Sequence, residues 1–113
     1  GLVRHLARIE RWWFRICMCD MSLPGLFVSR EHPDGDFEEI DPARWADDLQ
    51  VYRGEVAAAR DAVLTLSLDD EAARGPHGTV TLRWIYLHMI AEYARHNGHA
   101  DLLRERIDGR TGL

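Results

Sequence analysis

Residues 81–107 read TLRWIYLHMIAEYARHNGHADLLRERI, and this stretch decides the fold class. Leu82, Ile85, Met89, Tyr93, His96, Ala100, Leu103 and Ile107 recur at spacings of three and four, which is one face of an α-helix. Thr81 can cap the start of this helix and Gly109 can end it. Glu92 and His96 are four apart, so they sit one turn above the other on nearly the same face, and His99 follows one further turn along. A carboxylate and an imidazole stacked beside an apolar stripe can grip one ion from a single helix.

Two more helical patterns precede it. From Gly1 to about Asp20, Leu2, Leu6, Ile9, Trp13 and Ile16 form an apolar stripe, and His5 lies along its edge with Ile9, Trp12 and Ile16, so His5 is expected to point inward. Arg4, Arg8, Arg11 and Arg15 form a basic edge on the same helix, expected to pair with acidic residues elsewhere. Asp41 followed by Pro42 is a strong helix start, and Trp45, Leu49, Tyr52, Val56, Ala59, Val63 and Leu66 carry the three-four spacing onward. The connection from about Met21 to Ile40 is punctuated by Pro24, Gly25, Pro33 and Gly35 and is acidic from Glu31 to Glu39. Its length suits a lid, a binding loop or a solvated excursion. Leu68 to Thr79 is a second connection, and Leu26 to Ser29 is the only short strand candidate.

Long amphipathic helices without strands predict an all-α bundle, a single domain over residues 1–113. Three helices of this length are ordinarily joined by a fourth. The chain is already inside a helical pattern by Leu2, with neither Met nor a capping residue before it, so a preceding helix of the natural protein is expected to be missing here. A three-helix remainder exposes an apolar groove, which a second copy could cover as a homodimer.

The net charge of −5 argues against a protein that coats nucleic acid, because phosphate neutralisation needs a clustered basic excess. All 14 basic residues are Arg, a bias typical of GC-rich bacterial coding. No apolar run approaches the roughly 18–20 residues that span a bilayer, and no signal-peptide pattern opens the chain, so no membrane partner and a cytoplasmic location are expected. Cys17 and Cys19 are too close on a helix to bond each other and read as small buried side chains in a reducing compartment. Phosphate loops, nucleophile elbows and kinase motifs are absent from the sequence.

The sharpest constellation is His5, Glu92 and His96. Two imidazoles and a carboxylate are a common divalent-metal set, serving catalytic zinc with one open position and non-haem iron with two or three. The bland alternative makes Glu92 and His96 an ordinary helix-surface pair and His5 a satisfied core or edge histidine. His88 can be drawn into the set but reads more simply as a neighbour. His99 can support a ligand, shuttle a proton or cap a helix end. His32 and His77 lie in polar loops and should face water. Arg83 and Arg95 are candidates to hold a substrate carboxylate, which leaves His99 and Arg95 as the candidate catalytic groups.

The segments GLVRHLARIERWWFR (1–15) and LRWIYLHMIAEYARHNGHADLLRERIDG (82–109) resemble the DinB-like superfamily, and within it the branch related to mycothiol-dependent maleylpyruvate isomerase. The closing pattern E-x-x-x-H-x-G-H-A-D-x-L-R carries most of the likeness; an opening HL helix and a middle helix complete it. The resemblance implies a four-helix bundle of up-down-down-up order and a divalent metal, usually zinc or nickel. Its ligands are one His of the second helix and a Glu and a His four apart on the last. Here these fall on His5, Glu92 and His96, so the first helix observed in the sequence corresponds to the second of the family. The larger isomerases carry a further C-terminal domain that contributes to their substrate site, whereas the sequence read here runs to Leu113.

The implied function is metal-dependent chemistry on a low-molecular-weight thiol such as mycothiol, either S-transfer to an electrophilic substrate or isomerisation through a thiol adduct. The alternatives are a non-catalytic bundle or dimerisation module with a structural metal or none, and a metal-assisted hydrolase using His99 as base.

Overall fold

In chain order the helices are α1 (Leu2–Glu10), continued without a break by a π-helical segment, Arg11–Met18; α2 (Trp45–Val63), entered through the 3-10 turn Pro42–Arg44; and α3 (Leu82–Asp108). This computed structural model describes residues 2–27, 42–73 and 79–108, with side chains in α3 as far as Gly98. There is no strand among the described residues, only an isolated antiparallel bridge between Glu71 and Thr81. Leu26 and Phe27 form a bend; Val28, Ser29, Asp41 and Gly109 lie outside the described residues.

The start of α3 shows why the helix begins where it does. A helix leaves its first N–H groups without intrahelical partners. Here Leu82 N–H donates to Asp70 O (2.9 Å) and Arg83 N–H to Leu68 O (2.9 Å), both from the preceding connection. Trp84 N–H donates to Thr81 Oγ1 (3.2 Å), so Thr81 is the cap that its position predicts. Ile85 N–H reaches Thr81 O (3.1 Å), the first bond of the helix proper. Ala72 N–H to Val80 O (2.7 Å) ties the connection to itself and holds these acceptors in place.

The core gathers Leu6, Ile9, Phe14, Cys17 and Met18 with Ala59 and Val63 of α2 and Val80, Leu82, Ile85 and Met89 at the head of α3. Leu82, Ile85 and Met89 were the first three members of the predicted stripe. Each aliphatic side chain so buried contributes about 1.5–3 kcal/mol. The opening helix departs from its expected face. An unbroken α-helix would bury Ile9, Trp13 and Ile16; the protein buries Ile9, Phe14, Cys17 and Met18. The π segment closes i→i+5 rings, so its face advances by one extra residue: Ile9 to Phe14 is a step of five. Trp13 is thereby turned toward α3, where its ring meets Trp84 (5.4 Å between centroids) and His88 (4.7 Å). Met21 N–H to Arg15 O (2.9 Å) closes the end of the segment.

Polar contacts fix the directions. Arg4 pairs with Asp48 (2.9 Å), Arg11 and Arg15 with Glu55, and Cys19 Sγ lies 3.6 Å from Ala62 O, so α1 and α2 run the same way. His5 meets Glu92 and His96, and Trp13 meets Trp84, so α3 runs against them. This all-α arrangement matches the last three helices of an up-down-down-up bundle. Arg4, Arg11 and Arg15 of the predicted basic edge are thus spent on acidic partners, whereas Arg8 approaches His5: Glu55 is 5 % exposed and accepts from Arg11 Nη2 (2.6 Å), Arg11 Nε (3.1 Å) and Arg15 Nη1 (3.1 Å). Arg4 is also buried, its guanidinium 4.6 Å above the Phe27 ring.

Candidate metal centre

Below the apolar head of α3, the helix presents polar groups to α1. His88, Glu92 and His96 follow one another at four-residue intervals, and His5 faces them from α1. One ligand atom from each of His5, Glu92 and His96 lies within 4.8 Å of the other two. Glu92 Oε2 is the hub, 3.3 Å from His96 Nε2 and 3.8 Å from His5 Nε2. The two imidazoles stand edge to face, with centroids 4.7 Å apart.

His96 Nε2 is buried and makes no hydrogen bond: its 3.3 Å approach to Glu92 Oε2 lacks the alignment for one. A buried polar atom left this way costs about 1–3 kcal/mol. Three donors of the kinds that bind zinc, nickel or iron converge around it, so the residues present fit a divalent cation.

The other oxygen of Glu92 faces elsewhere. Oε1 accepts from Arg95 Nη1 (3.0 Å) and lies 3.8 Å from His88 Nε2. Burial pushes the Glu92 carboxyl up, but Arg95, His88 and His96 together outweigh it and hold Glu92 below the usual carboxylate range. Glu92 is therefore an anion at neutral pH, the form a metal ligand needs. His88 is fixed by stacking on Trp84 (5.0 Å, 7° between planes) and by Trp13. On α1, Arg8 Nη2 approaches His5 Nδ1 to 3.3 Å.

The chain matches the family described as MST: Mycothiol-S-transferase over residues 1–109. It belongs to the mycothiol S-transferase family. This is a DinB-like family, in keeping with the resemblance carried by the opening and closing helices. No curated protein and no solved structure matches the chain. None of the described helices is long and apolar enough to cross a membrane.

Of the residues that the sequence singles out, His5, Glu92 and His96 come together in space, and His88 is their neighbour. The side chain of His99 lies outside the described residues, as do His32 and His77. Arg95 touches Glu92 directly, whereas Arg83 pairs with Asp69. Nine residues separate Arg83 from Glu92, about 14 Å along the axis, so Arg83 has no place at this site.

A second polar cluster was not foreseen. Tyr93 donates to Glu10 Oε1 (2.6 Å) and shares a 2.8 Å hydrogen bond with Tyr52, beside a cleft of about 290 Å³ lined by Phe14, Arg60 and Tyr86. Burial pushes the Glu10 carboxyl up against the opposing pull of Tyr93 and Arg60, and burial with the Glu10 bond pushes the Tyr93 hydroxyl up. Tyr93 belongs to the predicted apolar stripe, which hid its polar end. Glu10, an acid on the inward edge of α1, was the available signal.

Proposed function

We propose that this protein is a metal-dependent S-transferase for a low-molecular-weight thiol, mycothiol or a close analogue, with His5, Glu92 and His96 holding one divalent cation. Zinc suits the two-nitrogen, one-oxygen donor set. The observation that carries the reading is the buried, unbonded His96 Nε2 facing Glu92 Oε2 and the His5 ring, in a chain of this family. A cation held there would lower the pKa of a thiol brought against it, giving the nucleophilic sulfur at neutral pH. The thiol would then displace a leaving group from, or add to, an electrophile, with its proton passed to solvent or to the leaving group.

The chain's own residues supply placement. Glu92 orients through two separate sets of partners, one for each oxygen. Trp13, Trp84 and His88 pack ring against ring, and His88 brings that stack to within 3.8 Å of Glu92 Oε1. The chain does not supply the thiol itself. Burial pushes both Cys17 and Cys19 up, away from thiolate character.

The test is metal content of purified protein by mass spectrometry, wild type beside His96→Ala, followed by conjugation of mycothiol to a model electrophile. Near-stoichiometric metal that vanishes in the variant, with metal-dependent conjugation by wild type, is the expected result. Absence of metal from both after reconstitution sinks the reading. Bound metal without thiol conjugation leaves a structural metal.

A further inference from the structure

Glu92 is a carboxylate whose two oxygens have been assigned different work. Oε2 faces His96 Nε2 (3.3 Å) and His5 Nε2 (3.8 Å). Oε1 is turned the other way, hydrogen-bonded by Arg95 Nη1 at 3.0 Å and approached by His88 Nε2 at 3.8 Å. The difference matters to a cation because a carboxylate can bind through one oxygen or through both. Together with the two imidazoles, a bidentate Glu92 would bring the protein donors to four. A monodentate Glu92 brings them to three and leaves a tetrahedral ion one position for an incoming ligand.

We infer that Arg95 is a positioning residue that keeps Glu92 monodentate, by holding Oε1 away from the two imidazoles, and so keeps one coordination position open for a thiol sulfur. The inference rests on the metal-centre reading above and says what decides its coordination number. Arg95 is one turn along α3 from Glu92 and meets it at Oε1, the oxygen turned away from the two imidazoles. Its guanidinium offers donors in a rigid fork and keeps its charge at any working pH. His88 meets the same oxygen from the turn on the other side, its ring set by the stack on Trp84.

Exposure separates this role from a structural one. The Arg95 side chain is 67 % exposed and that of Glu92 13 %. An ion pair so open to water contributes little to folding. Removing Arg95 should leave the melting temperature unchanged while altering how the site receives a ligand.

The experiment uses the cobalt-loaded protein. Wild type, Arg95→Ala, Arg95→Lys and the double variant Arg95→Ala with His88→Ala are compared by visible absorption, by chelator competition and by titration with 2-mercaptoethanol, read as a sulfur-to-cobalt charge-transfer band. Arg95→Ala is expected to bind one cobalt and melt like wild type. Its visible bands should weaken toward a five-coordinate pattern, and it should bind the thiol about 10-fold or more weakly, the scale on which outer partners act at metal sites. The double variant should go further, and Arg95→Lys, which retains a donor and a charge, should recover most of the wild-type spectrum. Cobalt spectra and thiol affinity equal to wild type in both alanine variants overturn the inference while leaving the metal centre intact. Failure of wild type to bind cobalt overturns both. Cobalt binding by wild type without a thiol band overturns the transferase reading, and the visible spectra still decide the role of Arg95.

Discussion

Glu55→Ala should be among the most destabilising single changes outside the apolar core. Glu55 sits in the middle of α2 and accepts three hydrogen bonds from two guanidiniums of the opening helix. Its side chain is 7 % exposed, those of Arg11 and Arg15 17 % and 19 %. Exposed pairs contribute about 0.2–1 kcal/mol, whereas removing one partner of a buried pair costs about 3–5 kcal/mol, because the other charge is stranded. Here two cations are stranded, but water still reaches about a fifth of each, so the lower end applies. The expected loss is about 3 kcal/mol. At about 4 °C per kcal/mol for a domain of this size, the melting temperature should fall by roughly 12 °C.

Urea unfolding followed by far-ultraviolet circular dichroism at neutral pH measures this, in low salt and again in about 1 M NaCl, where exposed charges are screened beyond about 3 Å. The loss should persist in salt. A triple variant with Glu55, Arg11 and Arg15 all replaced by Met should recover most of it, since apolar replacement of a whole buried ion cluster is often neutral or stabilising. A loss below about 1 kcal/mol, or one that salt abolishes, would refute the argument and make the clamp an ordinary surface pair. The clamp joins the opening helix to α2 and does not touch α3, so metal stoichiometry of the folded Glu55→Ala protein should not change.

Thr81→Ala removes the cap of Trp84 N–H and should cost about 1 kcal/mol in urea unfolding. The Glu10 carboxyl, raised by burial above its usual 4.5, binds its proton more tightly in the folded chain; stability must therefore fall as pH rises from about 4.5 through the raised value and stay lower above it. Glu10→Gln, which still offers Tyr93 an acceptor, should abolish that fall and equal or exceed wild-type stability at neutral pH. Cys17 and Cys19 should resist iodoacetamide at neutral pH in the folded protein and react on unfolding, measured by intact-mass spectrometry; fast alkylation of Cys17 in the native state would contradict its burial.

What the sequence disclosed followed from periodicity. The apolar head of α3 (Leu82, Ile85 and Met89), its Thr81 cap and the four-residue step from Glu92 to His96 are local facts, and local facts can be read residue by residue; the side chains of Ala100, Leu103 and Ile107 lie outside the described residues. The opening helix was legible only to Glu10. Beyond it the π segment changed the period, so Phe14, Cys17 and Met18 took the buried positions that an α-helical count gives to Trp13 and Ile16. Although Glu10 sits on the inward edge of α1, the apolar pattern did not settle the burial of Glu55 or Glu10, because a buried acid is decided by the partners that reach it from another helix. Arg11 and Arg15 supply those partners for Glu55; Tyr93 does for Glu10.

The distribution of these groups explains why the candidate centre can tolerate a thermodynamic penalty. Among the described residues, the fully buried apolar side chains of α3, Leu82 and Ile85, lie at its head, where the preceding connection also satisfies its free amides. Glu92 and His96 lie two to three turns further on, opposite His5, where α1 offers the helix polar contacts. Among the described side chains of α3, apolar burial is deepest at the head of the helix, and the unbonded His96 nitrogen sits well along from it. A defect of about 1–3 kcal/mol there is affordable because the head of the helix is independently anchored. The same separation means that a cation binding at His96 would relieve the defect without rearranging the core, so ligand binding and global stability are coupled mainly through the occupancy of that one site.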